Sequence, residues 1–379
     1  MSQSPLSSQP SQGKSSDPLS AADALPPVEP PSAGFILQLF VVPGLIVVII
    51  VMVWLMLNWL AHMGSDPQSY VKALERNNEA RWQAAVNLAN ALRSDRGPLK
   101  NNSQIATQIA GILDREITAG SLKEGSITLR DFLCRALGEF NVPDGLPVLL
   151  KAASTQRGPE EAAVRRAALA AIALLADNVH TAGGSLANEK LDSTLLEAAN
   201  DSDPLVREVA AYAMGSVGTP ELDVKLRSML KDSYANARYN AATGLARRGD
   251  AAVVPVLVEM LDPEEMAGVV IEKDETARDS KRAVIVINAL RSTDQLAKTN
   301  PTADLAPLQA AIEKLLEVKV QSQIKVQAAD VLKQLQQRTP PAAWFRKQSI
   351  QHDRPASTLA RSASEGIVRI APRWRFGLV

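Results

Sequence analysis

The sequence is poor in the residues that most often build reactive or cross-linked sites. Its one cysteine, Cys134, excludes an intrachain disulfide. Its three histidines (His62, His180, His352) share no motif, which excludes an ordinary His/Cys metal centre. Aromatics are only 4% of the chain, and Ala, Leu and Val supply the apolar mass, which favours helices over a β-sandwich or barrel. Net charge is absent as well. Lys and Arg (41) balance Asp and Glu (41) over 379 residues, so no global bias points to nucleic acid or an acidic substrate.

The balance hides unlike parts. Residues 1–34 are rich in Ser, Pro, Gln and Ala, with a Pro26-Pro27/Pro30-Pro31 run, and read as a disordered spacer that cannot bury enough apolar surface to order itself. From Phe35 to Ala61 no residue is charged, and 14 of the 19 residues from Leu39 to Leu57 are Leu, Ile, Val or Phe. Such a run is longer than a hydrocarbon core of roughly 30 Å requires, and its insertion energy of about 4–8 kcal/mol outweighs one Pro43-Gly44 kink. Trp54 and Trp59 suit an interfacial belt. A cleaved signal peptide fits poorly, because the apolar stretch is too long, the preceding tail is acidic, and Ala61-His62-Met63 is no small-x-small site. Residues 35–62 are therefore expected to form a single-pass transmembrane helix. Lys72, Arg76 and Arg81 follow it while only Lys14 precedes it, which puts the body on the cytoplasmic side by the positive-inside rule. A tail, 338–379, carries eight Lys/Arg against Asp353 and Glu365 and is expected to be disordered.

Residues 66–337 repeat. A basic residue is followed three and four positions later by small or apolar residues and seven later by a larger apolar one. The pattern appears as RWQAAVNL from Arg81, RDFLCRAL from Arg130, RRAALAAI from Arg165, REVAAYAM from Arg207, RYNAATGL from Arg238 and KVQAADVL from Lys325, with a looser copy from Lys281. This spacing marks one face of a helix, and its small residues let a neighbouring helix come close. Another helix precedes each copy, so about seven helix pairs average ~39 residues each. Two stretches break the spacing, 177–190 and 262–282, and both read as long insertions of the kind often used for function.

The two sharpest copies, LLEAANDSDPLVREVAAYAMGSVG and LRSMLKDSYANARYNAATGLARRG, resemble HEAT repeats, particularly the short HEAT-like repeats named after phycobilisome lyases. The resemblance implies an all-α solenoid. It also implies a hydrogen-bonded Asp/Arg ladder between repeats, carried here by Asp203, Arg207, Asp232 and Arg238. In these copies the Asp is expected to close the A helix and to accept hydrogen bonds from the Arg four to six residues later.

No catalytic constellation emerges, and no cofactor is implied. The basic column reads first as structural, with Glu79, Glu124, Glu160, Asp203, Asp232 and Asp279 as nearby acids, and second as an anion-binding stripe. Cys134 falls in a small inward slot filled elsewhere by Ala85, Leu169, Ala211, Ala242 and Ala329, and reads as a core thiol. The acid pairs Glu160-Glu161 and Glu264-Glu265 read as solvated. One position after the basic residue the chain tolerates polarity, so Trp82, Arg166, Tyr239 and Arg282 are candidate partner contacts on B helices lining a concave face, with packing between repeats as the other reading of the two aromatics. In the tail, Trp344, Phe345, Trp374 and Phe376 among basic residues are candidate contacts to anionic lipid. The leading functional expectation is a membrane-anchored scaffold that docks a protein partner. The alternatives are a lyase-like enzyme acting on a bound chromophore or other small molecule, and anionic lipid or nucleic-acid binding through the tail. No RGG run or folded module supports nucleic acid.

Overall fold

The structure, a computed structural model, describes residues 32–62, 67–76, 81–94 and 98–338. The chain divides between Ser65 and Asp66 into two units. In the first, helix α1 (Ala33–His62) begins two residues before the expected start and continues through Pro43. Its 27-residue span Ala33–Trp59 has a mean hydropathy of 3.0 and no buried residue among those described, so by length and composition it is able to cross a membrane.

The second unit is all helical among the described residues. Seven A helices, α2 (Pro67–Glu75), α4 (Ser103–Ala119), α6 (Leu146–Ala153), α8 (Leu191–Ala198), α10 (Pro220–Met229), α12 (Val254–Leu261) and α14 (Ala306–Glu317), alternate with seven B helices. The B helices are α3 (Arg81–Ser94), α5 (Glu124–Gly138), α7 (Glu161–Thr181), α9 (Pro204–Val217), α11 (Ala235–Ala246), α13 (Glu275–Thr299) and α15 (Ser322–Gln336). Each B helix packs on the B helix of the next pair, most extensively from α3 to α11. The result is an all-α, HEAT-like solenoid.

Local chemistry sets the boundaries. Asn102 caps α4 by accepting the Ile105 amide at 3.0 Å, and Gly120, at φ 64°, closes it in the left-handed region. Asp203 caps α9 through the Leu205 amide at 2.9 Å, with Pro204 in the first turn. Asp203 thus opens the B helix, where the sequence pattern had it closing the A helix. The reason is that its extended backbone and short carboxylate suit an N-cap. Both expected insertions are also shorter than their spacing implies. Helix α7 runs on to Thr181, which leaves 182–190 as the connection, and α13 starts at Glu275, which leaves 262–274.

Small residues bring the B helices together. A Cβ added at Gly138 would stand 2.8 Å from the Ala171 Cα. One added at Gly244 would stand 2.7 Å from the Gly215 Cα, so α9 and α11 touch backbone to backbone. Cys134 is fully buried beside Leu133 and Leu137, and burial drives its thiol well above the ordinary range. Ala329, by contrast, is exposed, because α15 ends the described stack and no further B helix covers it.

The basic column reaches forward. Arg81 pairs with Glu116 (2.9 Å), Arg130 with Glu161 (2.7 Å), Arg165 with Asp201 (3.0 Å), Arg207 with Asp232 (2.9 Å), and Arg238 with Glu259. Each acid belongs to the next helix pair. Most of these arginines also turn back to the end of their own A helix or the turn after it. Arg81 donates to the Leu74 carbonyl at 2.7 Å, Arg130 to that of Ser121 at 2.7 Å, Arg207 to that of Asp201 at 2.9 Å, and Arg238 to that of Asp232 at 2.7 Å. Arg207 grips both Asp232 oxygens, at 2.9 and 3.0 Å, and this raises its own pKa. Burial works to raise the Asp232 carboxyl, but Arg207 and the Tyr234 amide hold it below its ordinary value.

These rungs correct the expected partners. Arg207 is paired with Asp232 and not with Asp203, and Arg238 takes the Asp232 backbone and the Glu259 carboxylate. A carboxylate only four residues back is held by the turn it caps, while the next pair's acid lies across the stacking interface. Glu161, expected to be solvated, is 0% exposed and shared by Arg130 and Arg157.

Arg207→Ala should therefore lower stability by about 2 kcal/mol, since it strips the partly buried Asp232 carboxylate of its guanidinium, leaving only the Tyr234 amide, and removes the donor to the Asp201 and Ser202 carbonyls. Lys298→Ala, which breaks an i,i+4 pair of a largely exposed lysine, should cost under about 0.5 kcal/mol. Urea denaturation of both variants checks this; equal midpoints would reduce the ladder to decoration.

Candidate functional site

Stacking of α3, α5, α7 and α9 leaves a groove of about 480 Å³ across their exposed faces. Its floor is α7, where Ala163, Ala167, Ala170 and Leu174 recur at helical spacing, continued by Leu205 and Val209 of α9. Small side chains make the groove because they fill none of the space between neighbouring helices. Arg93, Arg135, Arg166 and Lys281 edge it, together with Asp131, Glu139 and Glu208.

These charges are fixed in pairs. Arg135 holds Asp131 at 2.8 Å and stacks over Phe132, 5.4 Å from the ring centre. Arg93 and Lys100 reach the buried Glu139 at 3.1 and 3.3 Å. Arg166 reaches Asp203 at 3.2 Å. Lys281 of α13 lies 3.9 Å from Glu208 of α9 and 3.8 Å from Glu272.

One end of the groove is walled by an arm, residues 262–274, which contributes Ile271. Arg282 fastens the arm through the Pro263 and Glu265 carbonyls (the latter at 2.7 Å) and the Met266 sulfur. Gly268 sits where a Cβ would meet Ile285 and Tyr239 at 2.7 Å, so only glycine lets the arm lie this close to α11 and α13. Val269 is buried beside it, while Val270 and Ile271 are left 69% and 53% exposed.

The expected contact residues divide accordingly. Arg166 lines the groove; Trp82, on α3, is exposed but lies outside the lining. Tyr239 follows the second of its two expected readings, packing, and not the exposed contact. It is 1% exposed, packed under Gly268, with its hydroxyl 3.0 Å from Glu259. Arg282 is likewise spent on the arm and not free for a partner. Trp344, Phe345, Trp374 and Phe376 lie outside the described residues. So do the expected tails, apart from their inner ends. Among the described residues no group of three His, Cys, Asp or Glu is placed to hold a metal ion.

Sequence reasoning missed Glu208, a buried acid of the groove like Glu139. It stands one position after the basic residue of the fourth copy, where polarity reads as exposure, yet it is 5% exposed. Burial pushes its carboxyl up from about 4.5 to about 7, against the opposing pull of Lys281, the Tyr234 hydroxyl and Arg166.

The stacked pairs and their inter-repeat rungs define the class as a HEAT-like repeat protein. Residues 192–270, from α8 into the arm, match the family model for HEAT repeats. Among solved structures the chain is similar to YibA of Escherichia coli, at 18% identity over 74% of this chain and 96% of that one, with a TM-score of 0.37. It is similar also to human deoxyhypusine hydroxylase, solved with glycerol, at 17% identity over 71% and 95% with a TM-score of 0.27. An engineered protein matches at 18% over 73% and 98% with a TM-score of 0.31. No curated protein matches the chain in sequence.

The position of Glu208 gives a pH dependence of definite sign. Between about pH 4.5 and 7 the folded chain keeps a proton that the unfolded chain has released. The stability this group contributes is full below that window and lost as pH rises through it. Glu208→Gln should therefore gain stability over the wild type on going from about pH 5 to about pH 8. Thermal melts at both pH values check this; a constant gap between the two proteins would contradict it.

Proposed function

We propose that the chain is a membrane-anchored scaffold whose HEAT-like body docks a protein partner in the groove over α3, α5, α7 and α9. The observation that carries this is the groove itself: an apolar floor of small side chains, edged by ordered charges and walled by a fastened arm. A rigid surface of this kind lowers the entropy cost of association, because its side chains are already held in place. For the anchor, support comes from α1, whose described side chains between Ala33 and Trp59 are all exposed. The basic residues after α1 favour a cytoplasmic body. The basic tail adds an excess of six positive charges suited to anionic headgroups.

Two measurements test the two halves. The full chain should resist alkaline extraction from membranes with α1 retained in its intact mass, and a chain beginning at Asp66 should not; loss of α1 from the mature mass would make it a signal sequence. A photoreactive residue at Ala163 or Ala170 should give a discrete cross-linked species in intact membranes, while one at Val224, exposed on the A helix α10, should not. Equal labelling from both faces would remove the docking reading.

A further inference from the structure

The charges around the groove nearly balance in number, four basic against three acidic, yet they do not face the same way. The Arg93 side chain is 60% exposed while its partner Glu139 is 2% exposed. Arg135 is 52% exposed and Asp131 is 18%. Lys281 is 21% exposed and Glu208 is 6%. In each of these three pairs the carboxylate is the less exposed member and the cation the outer one. An approaching molecule therefore meets positive charge at the rim and apolar surface at the floor.

That combination selects among partners. A polyanion such as nucleic acid would gain from the rim but leave the alanine floor unused. A basic segment would be repelled at the rim. A segment with apolar residues on one face and carboxylates on the other satisfies both. The floor positions on α7 carry alanine in three of four places, which admits a second helix at close range. Val270 and Ile271 on the arm offer a further apolar contact at one end.

We propose that the groove binds an acidic amphipathic helix of a protein partner, its apolar stripe on the α7 floor and its carboxylates against Arg93 and Arg135. This rests on the docking reading above and names the chemistry of the partner. Both arginines are already oriented, Arg135 by Asp131 and Phe132, Arg93 by Glu139, so little side-chain freedom is lost when a carboxylate arrives. The contact is electrostatic at its edge and is weakened by salt.

The test uses the full chain in zwitterionic micelles with a photoreactive residue at Ala163, and labelled designed peptides as probes. One peptide carries a leucine stripe opposite glutamates, a second has lysine in place of glutamate, and a third is the glutamate peptide with its order scrambled. Cross-linking at Val224 gives the background. The striped glutamate peptide should reach half-maximal labelling at a concentration about tenfold below either control peptide, and high salt should raise that concentration. Arg93→Gln with Arg135→Gln should weaken it by about tenfold with the cooperative melt retained, though lowered by the lost Glu139 and Asp131 contacts, and Ile271→Ser, at an exposed position, should weaken it independently with an unchanged melting curve. Equal labelling by the lysine peptide or the scrambled peptide, or full displacement by a single-stranded oligonucleotide, would overturn the proposal. If the Ala163 cross-link in intact membranes persists in that event, docking stands and only the acidic class is wrong. If that cross-link is missing too, the docking reading fails with it.

Discussion

An arginine on the first turns of a B helix faces two demands that no other residue type meets together. The A helix before it ends with carbonyls that lack intrahelical partners, and the next helix pair must be held in register. A guanidinium has five donors in a fixed fork, enough to serve both. Arg207 shows the arrangement in full, with one nitrogen on the Asp201 carbonyl and two on the carboxylate of Asp232. Lysine at this place would satisfy one demand and strain for the other. The column breaks down where lysine takes over: Lys281 reaches Glu208 and Glu272, not an acid of the following pair.

Once register is fixed, side-chain size decides how close the helices come and what lies between them. Glycine at positions 215 and 244 lets α9 and α11 meet at their backbones. On α7 the alanines face the other way, and their smallness becomes empty volume. Small residues thus close one surface and open the other, depending on their angular position around the helix. The groove needs no feature of its own beyond this.

This difference explains what was legible in the sequence. The seven-residue spacing is local, and it marked the B helices, the approximate number of pairs and the buried place of Cys134. The rungs join residues 21 to 36 apart and were not readable from spacing within one copy. Tyr239 and Glu208 occupy a slot that is polar in other copies, and there the arm and α13 cover them; burial supplied by a distant segment leaves no mark on the local pattern. Glu161 was misread for the same reason, since its partner Arg130 is 31 residues away. The arm looked like a charged excursion, and the contacts of Arg282, Gly268 and Val269 show that it is packed down.

Lys281 also has a mechanical meaning. In a stack of pairs, bending is the sum of small rotations at successive B-helix interfaces. Lys281 belongs to α13 and its partner Glu208 to α9, so once Glu208 is ionised, above about pH 7, their attraction spans α11 and opposes two rotations at once. It works as a cross-brace. The half of the groove near α9 carries this brace, while among the described residues the basic column from α3 to α7 joins each pair only to the next, so flexing is expected to concentrate there. A ligand entering from the α3 end would then meet the unbraced jaw first and the braced one last.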